Sequence, residues 1–209
     1  MAKTKHLWKH PWVLGHRITL HNALKNAAVR AGVELRLSSP VSEVDPEHGT
    51  VTLRDGTQDS ADVIVGADGV HSITRKYIPG GTMKPFSSGK SAFRFLIPRQ
   101  KVADDPKTSK YVAEDGTLSM IMHSDRRMVM YTTSSNTLLN FVCIHPEEET
   151  AQDSSGDWNN KATREMLLNV YRDYHDDFKA ILEKVDEDSL KLWRLLDMVS
   201  DHLSRGRGF

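Results

Sequence analysis

The sequence predicts an α/β first part that passes into an α+β second part, on three observations. Between residues 20 and 67, a helical stretch is followed by strand-length stretches, the last apolar on both faces. From Ala92 to Ile144, four apolar stretches follow with no helix between them, the pattern of an antiparallel sheet. Finally Met166, Leu167, Val170, Tyr171, Tyr174, Phe178, Ile181 and Leu182 form one stripe at the helical period, which predicts a long helix covering one face of that sheet.

The elements follow in order. Leu20, Leu24, Ala27, Ala28 and Ala31 recur at helical spacing, and Gly32 stands where helices end in left-handed backbone. Val33 to Leu37 alternates strictly and reads as a half-buried strand. Val41 to Val44 is a second extended candidate. Thr50 to Arg54 alternates again, and Asp55-Gly56 supplies a hairpin turn. Asp62 to Ala67 is apolar on both faces, which predicts a strand buried in the middle of a parallel sheet. Pro79-Gly80-Gly81 and Ser87-Ser88-Gly89 punctuate the chain, so a domain boundary is placed between them. Ala92 to Ile97, Leu118 to Met122, Met128 to Thr133 and Leu138 to Ile144 are the strands of the second part, with Asp125-Arg126-Arg127 as a turn. Pro146 to Asn160 is acidic, Ser-rich and read as a surface loop. Leu190 to Met198 is apolar enough to pack. The expected organisation is residues 1–80, residues 86–200 and a tail of residues 201–209.

Composition removes several function classes. The 28 Lys and Arg balance the 28 Asp and Glu, so the net charge is zero and the basic footprint of a nucleic-acid binder is missing. Hydrophobic residues at 38% and charged residues at 27% are the composition of a folded domain. The single cysteine, Cys143, excludes an internal disulfide and points to a reducing, cytoplasmic compartment. No apolar run approaches the roughly 18 residues of a helical membrane span, and no apolar stretch follows the basic start, so no signal peptide is expected. The pairs His6/His10 and His16/His21 lack a further ligand at metal-binding spacing, so no metal site is expected.

The most informative segment is Gly66-Ala67-Asp68-Gly69-Val70-His71-Ser72, with Arg75 following. An apolar run enters a glycine-rich turn and then a helix start. Gly66 and Gly69 remove side chains where the backbone must turn and where a ligand could approach. Asp68 stands where open α/β sheets place their ligands, and Ser72 fits as the cap of a short helix carrying Arg75. On the residues alone, Asp68 as a mere cap of a tight connection remains an equal reading.

This segment resembles the G-A-D-G-x-x-S-x-x-R motif of the single-component flavoprotein aromatic hydroxylases, in particular the salicylate-hydroxylase-like FAD-dependent monooxygenases of fungal secondary metabolism. His16-Arg17-Ile18-Thr19-Leu20 resembles that family's H-R-x-x-L, whose Arg contacts FAD. Ser91 to Pro98 resembles the strand that brings an Arg, here Arg94, toward the substrate. Met130-Tyr131 resembles a segment carrying a second active-site residue.

The resemblance implies a partial Rossmann-like FAD-binding domain followed by an antiparallel substrate domain. It implies FAD as cofactor, NADH or NADPH as reductant and a small aromatic or polyketide-like substrate. Arg94 and Tyr131 would orient the substrate. Arg17, Asp68, Gly66 and Gly69 would hold the flavin, with Arg17 and Asp68 expected in one cleft. The family's G-x-G-x-x-G turn and its closing flavin motif do not occur in the 209 residues, so the chain resembles the middle of such an enzyme. Weak FAD binding is therefore expected of it. Two rival readings accompany this one: a non-catalytic remnant, and a flavin-independent isomerase or cyclase using the same cleft.

Overall fold

A computed structural model describes residues 13–77, 84–151 and 160–198. The chain divides into two compact units. One takes in the described residues through Asn26 together with Ser87–Leu195; the other takes in Ala27–Phe86 and the described residues from Leu196.

The first unit is built on a six-stranded sheet. Its strands are β4 (Phe86–Pro98), β5 (Leu118–Met122), β6 (Arg127–Thr133), β7 (Leu138–Pro146), β8 (Asn160–Lys161) and β9 (Lys191–Asp197). Their order across the sheet is β5-β6-β7-β4-β9-β8. The pairs β5–β6, β6–β7, β7–β4 and β9–β8 run antiparallel, as the sequence predicts for the central strands. The turn at Asp125-Arg126 closes through the His123 N–H donating to the Arg126 carbonyl at 2.9 Å. Arg126 then bonds Asp125, Glu149 and the Val170 carbonyl, which ties this turn to the helical layer.

The stripe from Met166 to Leu182 lies in the core but not on one helix. It is carried by α3 (Arg164–Val170) and α4 (Asp176–Leu182). The φ −54° and ψ 144° of His175 are extended, and its ring accepts from the Asp177 N–H, so the helix restarts there under a new cap. Thr163 caps α3 in the same way, accepting from the Met166 N–H. The period survives the break because the intervening turn also points Tyr171 and Tyr174 inward. These residues share one buried cluster with Phe93, Phe95, Met128, Met130, Phe141 and Leu192 of the sheet. At about 25 cal/mol per Å2 of apolar area, each such side chain contributes about 2–3 kcal/mol to holding helices on the sheet. Between β4 and β5 stand the short helix α2 (Arg99–Ala103) and a 3-10 turn at Ser109–Val112.

The second unit is a three-stranded antiparallel sheet, β1 (Val41–Asp45), β2 (Thr50–Leu53) and β3 (Gln58–Ser60). Gly56 adopts φ +88° in the turn predicted between β2 and β3. Helix α1 (Arg17–Arg30) forms as expected, and Gly32 follows at φ +81°. No residue of α1 is buried, however.

Two strand expectations are corrected. Val33 to Leu37 is not a strand; Arg36 instead bonds Glu34 and Asp59 of β3, and Val33, Leu35 and Leu37 stay exposed. Asp62 to Ala67 is not a buried parallel strand. It runs without ladder partners, with Val63 75% and Val65 82% exposed. A strand exists only when a neighbour takes its N–H and C=O groups, and among the described residues none pairs with either segment. Of the surface loop, Glu147–Glu149 form a 3-10 turn. The rest of that loop from 152 to 159, the Pro79-Gly80-Gly81 punctuation, the N-terminal segment with His6 and His10, and the tail of 201–209 lie outside the described residues.

Candidate active site

Strand alternation builds the site in the first unit. On β4, Phe93, Phe95 and Ile97 enter the core, so Arg94 and Leu96 take the opposite face. The same rule sends Tyr131 and Thr133 of β6, Asn140 of β7, and Lys191 and Trp193 of β9 to that face. Register aligns them, because both Leu96 and Tyr131 lie opposite Asn140. A cavity of about 420 Å3 opens over this row, completed by Gly15, His16, Arg17 and Ile18 at the start of α1. The structure thus brings together three predicted residues, Arg17, Arg94 and Tyr131.

The cavity has a one-sided charge. Arg17, Arg94 and Lys191 line it, with His16 beside them, and among the described residues no carboxylate does. The Arg94 guanidinium carbon lies 4.3 Å from the centre of the Trp193 ring, a cation–π stack. Its Nε is buried and has no hydrogen-bond partner among the described residues. Burial lowers the Arg94 pKa from its ordinary value; Tyr131 works against that and the Arg17 charge works with it. A guanidinium stays charged through any such shift. A buried N–H donor on a fixed cation is costly unless something accepts from it, so this cavity is suited to a ligand oxygen.

The other predicted residues, Gly66, Asp68 and Gly69, line a cavity of about 450 Å3 in the second unit. Arg17 and Asp68 therefore line different cavities. The Asp68 carboxylate serves its own turn. Oδ2 accepts from the N–H groups of Ile73 at 2.8 Å and Thr74 at 3.0 Å, and Oδ1 accepts from the Thr74 hydroxyl at 2.8 Å. The Ser72 hydroxyl and the Thr74 N–H hold this carboxyl far below the usual carboxylate range. Ser72 Oγ accepts from the Arg75 N–H at 3.0 Å, as its reading as a cap requires, and opens the 3-10 turn Thr74–Tyr77. Arg75 reaches back to the Gly69 carbonyl at 2.9 Å.

The two glycines differ. A Cβ on Gly66 would sit 2.2 Å from Thr74 Oγ1, so this glycine lets the turn fold onto itself. A Cβ on Gly69 would meet nothing within 4 Å, but the φ of +74° there favours glycine, and the space beside it is open to a ligand.

The full sequence matches the FAD binding domain family over residues 6–209. The chain belongs to that family. Its curated relatives include hispidin-3-hydroxylase of Neonothopanus nambi, 29% identical over 201 residues, covering 88% of this chain and 47% of that protein. The FAD-dependent monooxygenase cfoG of Aspergillus candidus is 32% identical over 192 residues, covering 87% of this chain and 44% of that protein. The 3-amino-4-hydroxybenzoate 2-monooxygenase of Streptomyces cremeus is 27% identical over 211 residues, covering 98% and 48%. Among solved structures, a salicylate hydroxylase substrate complex superposes with a TM-score of 0.65 at 22% identity, over 88% of this chain and 46% of that one. The fold is therefore that of flavoprotein monooxygenases, and the chain spans a little under half the length of the curated relatives it matches.

FAD is the cofactor this family membership implies, and the residues present fit part of it. Arg17 offers a cation at one cavity, and the turn at Gly69 offers open backbone at the other. A glycine turn of the G-x-G-x-x-G type is not among the 209 residues.

The sequence reading missed Trp193, Lys191 and Asn140. Lys191-Leu192-Trp193-Arg194-Leu195 is apolar enough for a strand but does not alternate, since Leu192 and Trp193 are adjacent, so only the structure shows that Leu192 enters the core and Trp193 takes the other face. His123, just past β5, stacks on Tyr174 with ring centres 5.8 Å apart. Among the described residues no helix is long and apolar enough to cross a membrane, and no cluster of three metal-ligating side chains occurs.

Proposed function

We propose that the chain forms the substrate-binding part, and some of the flavin-contacting surface, of an FAD-dependent monooxygenase. Its substrate is an aromatic or polyketide-type intermediate of secondary metabolism, hydroxylated with NAD(P)H and O2. One oxygen atom enters the ring and the other leaves as water, while NAD(P)H and a proton are consumed. FAD, when bound, carries the electron pair from NAD(P)H to oxygen. The observation that supports this reading best is the cavity on the open face of the sheet, where Arg94, Tyr131 and Arg17 converge.

In this reading Arg94 holds an oxygen of the substrate, and the Tyr131 hydroxyl orients it by a further hydrogen bond. Leu96 and Trp193 supply apolar walls that keep water from the ring. Arg17 contacts the flavin, and the turn built by Gly66, Asp68 and Gly69 presents backbone to it. Asp68 acts through the turn it organises.

The test is to titrate FAD into the purified chain and follow NAD(P)H oxidation with and without phenolic acids. Saturation is expected only at FAD concentrations above about micromolar, because the helix-terminal grip on the pyrophosphate is not in this sequence. At saturation, substrate should accelerate NAD(P)H oxidation. Turnover of a phenol without FAD would favour an isomerase or cyclase, and no flavin-dependent turnover would favour a remnant.

A further inference from the structure

We propose that Trp193 is a positioning residue that holds Arg94 flat across the cavity floor, so that the cavity selects planar ligands carrying an anionic oxygen. This rests on the reading of the cavity as the substrate site. Two observations carry it. The first is the stack itself. Arg94 has no carboxylate partner among the described residues, and its guanidinium lies 4.3 Å from the Trp193 ring centre. An arginine side chain otherwise loses its preferred geometry among many rotamers. Stacking leaves the edge of the guanidinium as the donor surface, and its buried Nε is still without an acceptor. The second is the charge census. Arg17 and Lys191 line the same cavity, and among the described residues no Asp or Glu lines it to neutralise them. A neutral ligand would leave these cations uncompensated in a partly desolvated space, whereas a carboxylate or acidic ring hydroxyl meets them with charge-assisted hydrogen bonds.

Trp193 and Arg94 come from β9 and β4, which are neighbours in the sheet, so the stack is set by strand pairing before any ligand arrives.

The experiment is calorimetric titration of the full chain, near neutral pH and without FAD, with 4-hydroxybenzoate and its neutral amide, 4-hydroxybenzamide. The two probes share the ring and hydroxyl and differ in charge. The acid is expected to bind at least roughly tenfold more tightly than the amide. Arg94→Gln should abolish this preference. Trp193→Leu should reduce it by roughly threefold to tenfold, and Trp193→Phe should largely restore it, because a phenyl ring keeps the stack. Thermal melts of each variant establish that it is folded. A purely structural Trp193 would weaken acid and amide together and leave their ratio unchanged, which would overturn the proposal. Equal binding of both probes to the unchanged protein would also overturn it while leaving the cavity as a substrate site. Binding of neither probe would overturn it too, and the turnover assay then decides separately whether the cavity serves a monooxygenase.

Discussion

His145 makes the stability of the first unit fall in mild acid. It is 0% exposed on β7, with its ring stacked 4.8 Å from Phe93 and edge-on to Tyr171 at 6.4 Å. Nε2 meets Thr150 Oγ1 at 3.1 Å, and Nδ1 faces the Cys143 carbonyl at 3.4 Å. Burial lowers its pKa below the ordinary imidazole value, and the nearby Arg126 and Lys90 charges act the same way. The Cys143 carbonyl and the Glu149 carboxylate oppose them. In the unfolded chain the imidazole takes up its proton near pH 6.5 (about the free value), and in the folded chain only at lower pH. Between those points the unfolded state binds more protons. Stability is therefore fully present above about pH 6.5 and is lost as pH falls from there toward the folded pKa. A single proton limits the slope to about 1.4 kcal/mol per pH unit. Urea unfolding of the wild type and His145→Gln, between about pH 5 and about pH 8, measures it, because glutamine keeps a polar side chain without a proton to gain. The difference in unfolding free energy between the two should be level at the upper end. Below about pH 6 it should fall toward that limiting slope, in disfavour of the wild type. Parallel profiles across the whole range would show that His145 is not the group whose protonation weakens the fold.

Phe141→Ala should cost about 3–5 kcal/mol in the same assay, since Phe141 is 0% exposed and stacked 4.8 Å from Phe95. A loss under about 1 kcal/mol would show that the sheet core is not closed there. Thr163→Ala removes the oxygen that accepts from the Met166 N–H at 3.2 Å and should cost about 1 kcal/mol, restored largely by Thr163→Ser. Cys143 is 0% exposed and burial pushes its thiol far up, so it should resist alkylation in native buffer and react at the rate of unfolding. Immediate labelling of the folded chain would contradict its place in the core.

What the sequence makes legible follows from local rules, and what it hides depends on neighbours. The four strands from Ala92 to Ile144 were readable from their apolar stretches, whereas Arg94 and Tyr131 were singled out by the family resemblance, and it is the structure that puts both on the face turned away from the core. The glycine turn at 66–69 was readable because its residue types have few alternatives, although the Asp68 carboxylate turned to its own backbone. Val33 to Leu37 and Asp62 to Ala67 carry strand patterns just as clear, yet neither forms a strand, because pairing depends on a partner that a pattern cannot specify. The break between α3 and α4 was hidden for a related reason. Tyr171 and Tyr174 keep the stripe in phase through a turn, so the period reports the buried face rather than the continuity of the helix. Trp193 was hidden because it stands next to Leu192, and two adjacent apolar residues do not say which of them enters the core.

The proposed monooxygenase activity is tested most directly by the fate of isotopically labelled O2 when the purified chain, saturated with FAD and supplied with NADPH, acts on a phenolic acid. A hydroxylated product is expected that carries a single labelled oxygen atom on the ring, formed in step with NADPH oxidation and lost in Arg94→Gln. A product formed without label, or formed equally well without FAD or by Arg94→Gln, would contradict that activity.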